Sequence, residues 1–186
     1  MGNQRPSRDP HMRTLSTFLL CVLLAEPLYA QKNKRDPLTE AEKDQIAEAG
    51  VAPVERLNLY VKIISQHADT IQGLVKRARS AARAHRIDDE LQDFAALLDE
   101  LSSNLDLYAD RKGDIRKSMK PMTEAIAHWQ STLNSLTSEP GFEVSRQDSI
   151  DAITDLAAQT KQITSDQDAY FKAHPDEKDQ DRAEPK

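Results

Sequence analysis

The sequence predicts an all-α protein: an antiparallel helical bundle of three or four long helices with coiled-coil-like packing, preceded by a short N-terminal helix. Three observations predict it. Between Ile87 and Leu136, steps of four and three give Ile87, Leu91, Phe94, Leu98, Leu101, Leu105, Tyr108, Lys112, Ile115, Met119, Met122, Ile126, Trp129, Leu133 and Leu136, with Lys112 the one member that is not apolar. That spacing is the seam of a helix packed along another helix. A second seam of the same kind runs through Val54, Leu57, Val61, Ile64, Ala68, Ile71, Val75, Ala78 and Ala82. The third observation is composition. Of 186 residues 30% are charged, 38% are hydrophobic and only five are glycine, which suits long solvated helices better than turn-rich sheets.

Charge narrows the function. A net charge of −6 and a pI near 5.4 argue against nucleic acid as the main partner, because phosphate binding needs a clustered positive surface.

In chain order, residues 1–30 read as a signal peptide. Met12-Arg13-Thr14 is a short basic start, Leu15 to Ala25 an apolar run, and Glu26 to Ala30 a turn-prone segment ending in a small residue. The run is shorter than the ~20 residues that span a bilayer. Cleavage is expected after Ala30, with Leu28 bulkier than usual for its position. Residues 1–11 are unlike the start of an export signal, so translation is expected from Met12. Cys21 is the chain's one cysteine, and Leu20 before it is too large for a lipoprotein signal. Removing residues 1–30 takes Arg5, Arg8, Arg13, Asp9 and Glu26, so 25 basic and 31 acidic residues become 22 and 29, a net charge of −7. The mature chain then has no disulfide, thiolate metal site or cysteine nucleophile. The expected location is the bacterial periplasm or the extracellular space.

Residues 31–51 form a linker and a short helix. Thr39 with Glu42 three residues on is a capping box, and Gly50 suits the position after the helix end. The Leu38-Thr39-x-x-Glu42 start is similar to the Leu-Thr-x-x-Gln element of small periplasmic stress chaperones of the Spy and CpxP type, with Glu42 standing where those have glutamine. The capping box accounts for the same residues.

Residues 52–171 form the bundle domain. Pro53 suits the first turn of a long helix, and Leu59, Tyr60, Ile63 and Leu74 widen its seam enough for a bundle. The register then slips, because Ala82 projects to His85 and Asp89 whereas the next seam starts at Ile87. Arg79, Arg83 and Arg86 precede Asp88, Asp89, Glu90 and Asp93, the order that a helix end followed by a helix start favours. A turn is therefore expected at about 85–89, with one long, phase-slipped helix as the alternative. Asp110-Arg-Lys-Gly113-Asp114 offers a basic last turn, a glycine and an N-cap, which favours a break near Gly113. The unbroken register and the cations Arg116, Lys117 and Lys120 speak for continuity. An unbroken segment would be ~75 Å long beside a ~50 Å neighbour (Pro53 to Arg86), at 1.5 Å per residue. Pro121 predicts a kink. Ser138-Glu139-Pro140-Gly141 is the clearest turn. After it Ile150, Ile153, Leu156, Ala157, Thr160, Ile163 and Tyr170 form a weaker stripe, led in by Phe142 and Val144. Residues 172–186, polar and charged, are expected to be a disordered tail.

Chemistry is thin in this sequence. His67 and His128 are flanked by seam residues, His85 falls at the expected turn and His174 in the tail. A carboxylate-bridged di-iron bundle needs Glu-x-x-His twice, and only Glu124-x-x-x-His128 is present. A haem bundle with Met and His ligands would draw on Met119 or Met122 with His128, although seam methionines are usually gap-filling core. Trp129 reads as core. The basic run Lys76, Arg77, Arg79, Arg83, Arg86 is expected to face Asp88 to Glu100 or solvent, with an anionic surface as the lesser reading. Lys112-Gly113-Asp114 resembles integrin-binding tripeptides over three residues only. No phosphate-binding glycine loop, nucleophile elbow or triad pattern is present.

The expected function is that of an exported, non-enzymatic helical bundle acting through protein–protein contacts, with an unknown protein partner or by self-association. No membrane span, catalytic residue, cofactor or metal is expected in the mature chain. The alternative is a bundle that binds a small ligand, haem or metal through Met119, Met122 and His128.

Overall fold

Five α-helices form among residues 36–50 and 52–178, which the computed structural model describes: α1 (Glu40–Glu48), α2 (Pro53–Val75), α3 (Ala81–Asp110), α4 (Arg116–Ser135) and α5 (Glu143–Ala173). A 3-10 turn, Pro175–Glu177, follows. The expected all-α bundle of long helices with a short helix before it is therefore present. The export segment 1–30, with Met12, Cys21 and the Ala30 cleavage point, lies outside the described residues, as does the tail from Asp179. No helix among the described residues is long and apolar enough to cross a membrane.

The seam from Ile87 to Leu136 becomes the inner face of α3 and α4. Every one of its apolar members is buried, and Lys112 alone is exposed, because the chain breaks there. Tyr108 to Gly113 close a Schellman motif: the Gly113 N–H donates to the Tyr108 carbonyl (2.9 Å) and the Lys112 N–H to that of Ala109 (3.1 Å). Lys112, at φ 58°, holds the left-handed position expected for Gly113. Gly113 follows it, packed beneath Pro53 with Tyr108. Pro121 sits inside α4 on its exposed side, where a missing backbone N–H faces water.

The expected turn at 85–89 is corrected. α2 ends at Val75 and α3 begins at Ala81, with Ser80 accepting the Arg83 N–H (3.1 Å) as N-cap. Ala78 and Ala82 are consequently exposed rather than seam positions, and His85 lies one turn inside α3. The register slip is equally compatible with a turn before or after it, so it does not fix where the chain breaks. Ser80 was the signal, since a serine before helix-favouring alanines is a natural start.

Successive long helices run in opposite directions. Tyr60 with Glu100 and His67 with Glu90 pair α2 and α3 antiparallel. Bonds from Ser145 to Asp88, Gln159 to Asp106 and Gln167 to Gly113 advance together along α5 and α3, so those two run parallel. Ser118 to Val54 and Trp129 to Ser65 likewise place α4 parallel to α2. Packed pairs are α2/α3, α3/α5, α5/α4 and α4/α2, so the order around the bundle is 2-3-5-4. The α3–α4 connection crosses the diagonal at one end. Phe94 and Trp129 span the same diagonal inside the core, edge to face at 6.0 Å.

α5 carries the largest correction at side-chain level. Its buried positions, with Phe142 just before it, are Phe142, Ser145, Ser149, Ile153, Leu156, Thr160, Ile163, Gln167 and Phe171, a complete series of threes and fours with four polar members. Val144 is 75% exposed and Tyr170 only partly buried, while Phe171 takes the core position. Residues Lys172 and Ala173 belong to α5, and Tyr170 Oη donates to Glu177 (2.6 Å), so the expected tail boundary falls inside ordered helix.

The short helix α1 begins as expected. The Thr39 N–H donates to Glu42 (2.8 Å), the Glu42 N–H to Thr39 Oγ1 (3.3 Å), and Gly50 adopts φ 55° after the helix end.

Candidate functional site

The residues of the haem or metal reading are not brought together. Met119 and Met122 are buried core side chains, with Met122 Sδ accepting from Thr160 Oγ1 (3.5 Å). His128 points outward, half-exposed, with Nε2 3.6 Å from Asp69 of α2. Trp129 is fully buried, and its indole N–H donates to Ser65 Oγ (3.1 Å). In Lys112-Gly113-Asp114 only the lysine is displayed. The Asp114 side chain is 5% exposed and accepts two bonds from the Arg116 guanidinium, at 2.8 and 2.6 Å.

Two further histidines, His67 and His85, also stand beside carboxylates. His67 Nδ1 lies 2.9 Å from Glu90 in a cleft of about 390 Å³, walled by Gln66, Thr70 and Asp93 and closed on one side by Asp36 to Thr39. An imidazole held by a carboxylate is two-thirds of a nucleophilic triad. The nearby hydroxyl of Thr70 donates to the Gln66 carbonyl instead (2.8 Å). Asp36 is anchored by Lys43 (2.7 Å), whose ammonium holds that carboxyl below its ordinary range. His85, Asp88 and Asp89 place three ligand atoms within 4.8 Å of one another on α3. Both Asp88 oxygens already accept bonds, from Ser145 (2.5 Å) and Gln92 (2.7 Å), and His85 is exposed.

The basic run goes neither to Asp88–Glu100 nor wholly to solvent. Arg83 turns into the end of the bundle and binds Glu139 of the α4–α5 loop, with Arg79 Nε 3.5 Å from the same carboxylate oxygen.

A groove between two helices of the described residues is apolar. Between α4 and α5, Ile126, Ala157 and the methyl-bearing side chains of Thr123, Thr160 and Thr164 line a concavity of about 450 Å³, rimmed by Lys161 and Ser165. It exists because α5 presents alanine and threonine where a neighbouring helix with leucines would have closed the space. The sequence held that signal in Ala157, Thr160 and Thr164, three small side chains separated by a step of three and a step of four. Elsewhere among the described residues, Leu107 and Val144 are the large apolar side chains left exposed. Comparison of the chain with protein-family models, with curated proteins and with solved structures returned no match.

Proposed function

We propose that this chain is an exported helical bundle that works by binding another polypeptide rather than by catalysis, with the α4–α5 groove as the contact surface. The observation that carries the reading is the groove itself: an apolar floor, open to solvent, with Lys161 as its one charged lining residue. Such a surface fits an amphipathic segment that lays an apolar side chain into the groove and an acidic one beside Lys161. Export rests on the three-part pattern of residues 1–30. A scaffold role fits a core whose apolar seam is consumed internally and a Thr70 hydroxyl committed to the Gln66 carbonyl.

Two measurements test the proposal. Expressed in a bacterium, the protein should be recovered from the periplasm or medium with Gln31 as its first residue; a cytoplasmic protein starting at Met1 or Met12 removes the export part. A photo-crosslinking residue at Thr123 or Ser165, both exposed, should form adducts with an acidic amphipathic peptide. Lys161→Glu should weaken them by about tenfold, the equivalent of one charge-assisted contact. Equal crosslinking from the opposite, α2–α3 face, at Thr70, would discard the groove.

A further inference from the structure

The α2–α3 turn and the α4–α5 loop meet at one end of the bundle around a cavity of about 200 Å³. Its floor is apolar, made by Val75, Leu136 and Phe142, and its rim carries Arg77, Arg79, Arg83 and Glu139 with the Thr137 hydroxyl. Three guanidiniums against one carboxylate leave two positive charges in excess. The apolar floor keeps water from screening them on that side, and the positive end of the 30-residue helix α3 begins between Arg79 and Arg83.

Arg83 supplies the second, independent observation. Its side chain is only 6% exposed, Nη2 donates to Glu139, and Nε is buried with no acceptor among the described residues. A buried guanidinium with an unfilled donor is expensive in isolation, and native interiors satisfy such groups. Glu139 does so for one nitrogen only, because it shares a single oxygen between Arg83 and Arg79. A ligand with several negatively charged oxygens would answer more of these donors at once, and arginine forks match that geometry.

We propose that this cavity binds a phosphate group, with Arg77, Arg79 and Arg83 as donors and Glu139 as the resident carboxylate that the phosphate displaces. The group is carried either as free inorganic phosphate or on a phosphomonoester lipid headgroup. The site is independent of the α4–α5 groove and would stand if that reading failed.

The test uses the full chain. Isothermal titration with sodium phosphate, against sodium chloride of equal ionic strength, is run beside flotation with phosphatidylcholine vesicles with and without phosphatidic acid. Saturable binding of phosphate alone identifies the free anion as the source, and binding only to phosphatidic acid vesicles identifies the headgroup. Glu139→Gln should tighten whichever interaction is seen, and Arg77→Gln with Arg79→Gln should weaken it, each by about tenfold. Both arginines are exposed, so circular dichroism should report an unchanged fold. Absence of binding in both the wild type and Glu139→Gln overturns the proposal. So does binding that survives the double arginine substitution.

Discussion

Gln167 does more than any apolar residue of its size could do at its position. It lies buried on α5, where its amide N–H donates to the Gly113 carbonyl (2.7 Å) and its amide oxygen accepts the Ile115 N–H (3.1 Å). One side chain thereby satisfies both polar groups that the α3–α4 crossing would otherwise leave unpaired in the interior. Gln167→Leu should lower unfolding free energy in urea by about 1–3 kcal/mol for each orphaned group, despite its added hydrophobicity. Tyr60 offers a pH readout. Burial first, and the adjacent Glu100 second, push its phenol above the ordinary 10.0. The folded state therefore holds the proton more tightly than the unfolded state does. That contribution is complete below pH 10 and is lost as pH rises through the folded value. In alkaline denaturation series, Tyr60→Phe should show a shallower fall above pH 10 than the wild type.

At the scale of elements, the helix ends decide the bundle's form. Lys112 occupies a left-handed position that usually costs a residue with a β-carbon about 1–2 kcal/mol. It recovers part of this by placing Nζ 5.4 Å over the Tyr170 ring, a contact of about 0.5 kcal/mol at an exposed site. Lys112→Gly should thus raise stability by about 1 kcal/mol, seen as a higher thermal midpoint. The α4–α5 loop is set by contact instead. A β-carbon on Gly141 would stand 2.9 Å from the Ala84 β-carbon of α3. Gly141→Ala should destabilise by about 1–3 kcal/mol through overpacking. In a double-mutant cycle Ala84→Gly should relieve most of that, whereas simple additivity would mean that the loop has moved away.

For the whole molecule, stability is concentrated in four helices. α1 contributes one buried side chain, Ile46, and rests on α2. Hydrogen exchange should find α1 opening at far lower free energy than α3, whose face is buried from Arg83 to Tyr108. Removal of residues 1–50 should leave a cooperative thermal transition, and a melted bundle would show that α1 is structural rather than peripheral.

Periodicity and local hydrogen bonding make part of this fold readable from the residues alone. Ile87 to Leu136 had to be an inner face, because a 4-3 series buries one side of a helix whatever lies opposite. Thr39 with Glu42 and Gly50 had to bound a short helix, because those bonds are local. The break near Gly113 was legible in the same way, one residue from where it occurs. The polar half of the α5 seam was not legible from apolar spacing. Ser145, Ser149, Thr160 and Gln167 are buried only because Asp88, the Leu91 carbonyl, Met122 and the Gly113 carbonyl stand opposite them. The 2-3-5-4 order, the meeting of Arg83 with Glu139 across 56 residues and the groove beside Ile126 are likewise products of which helices become neighbours. A helix's own pattern says which face turns inward. Only packing decides which partner that face meets, and both the α4–α5 groove and the α2–α3 cleft lie between two such partners.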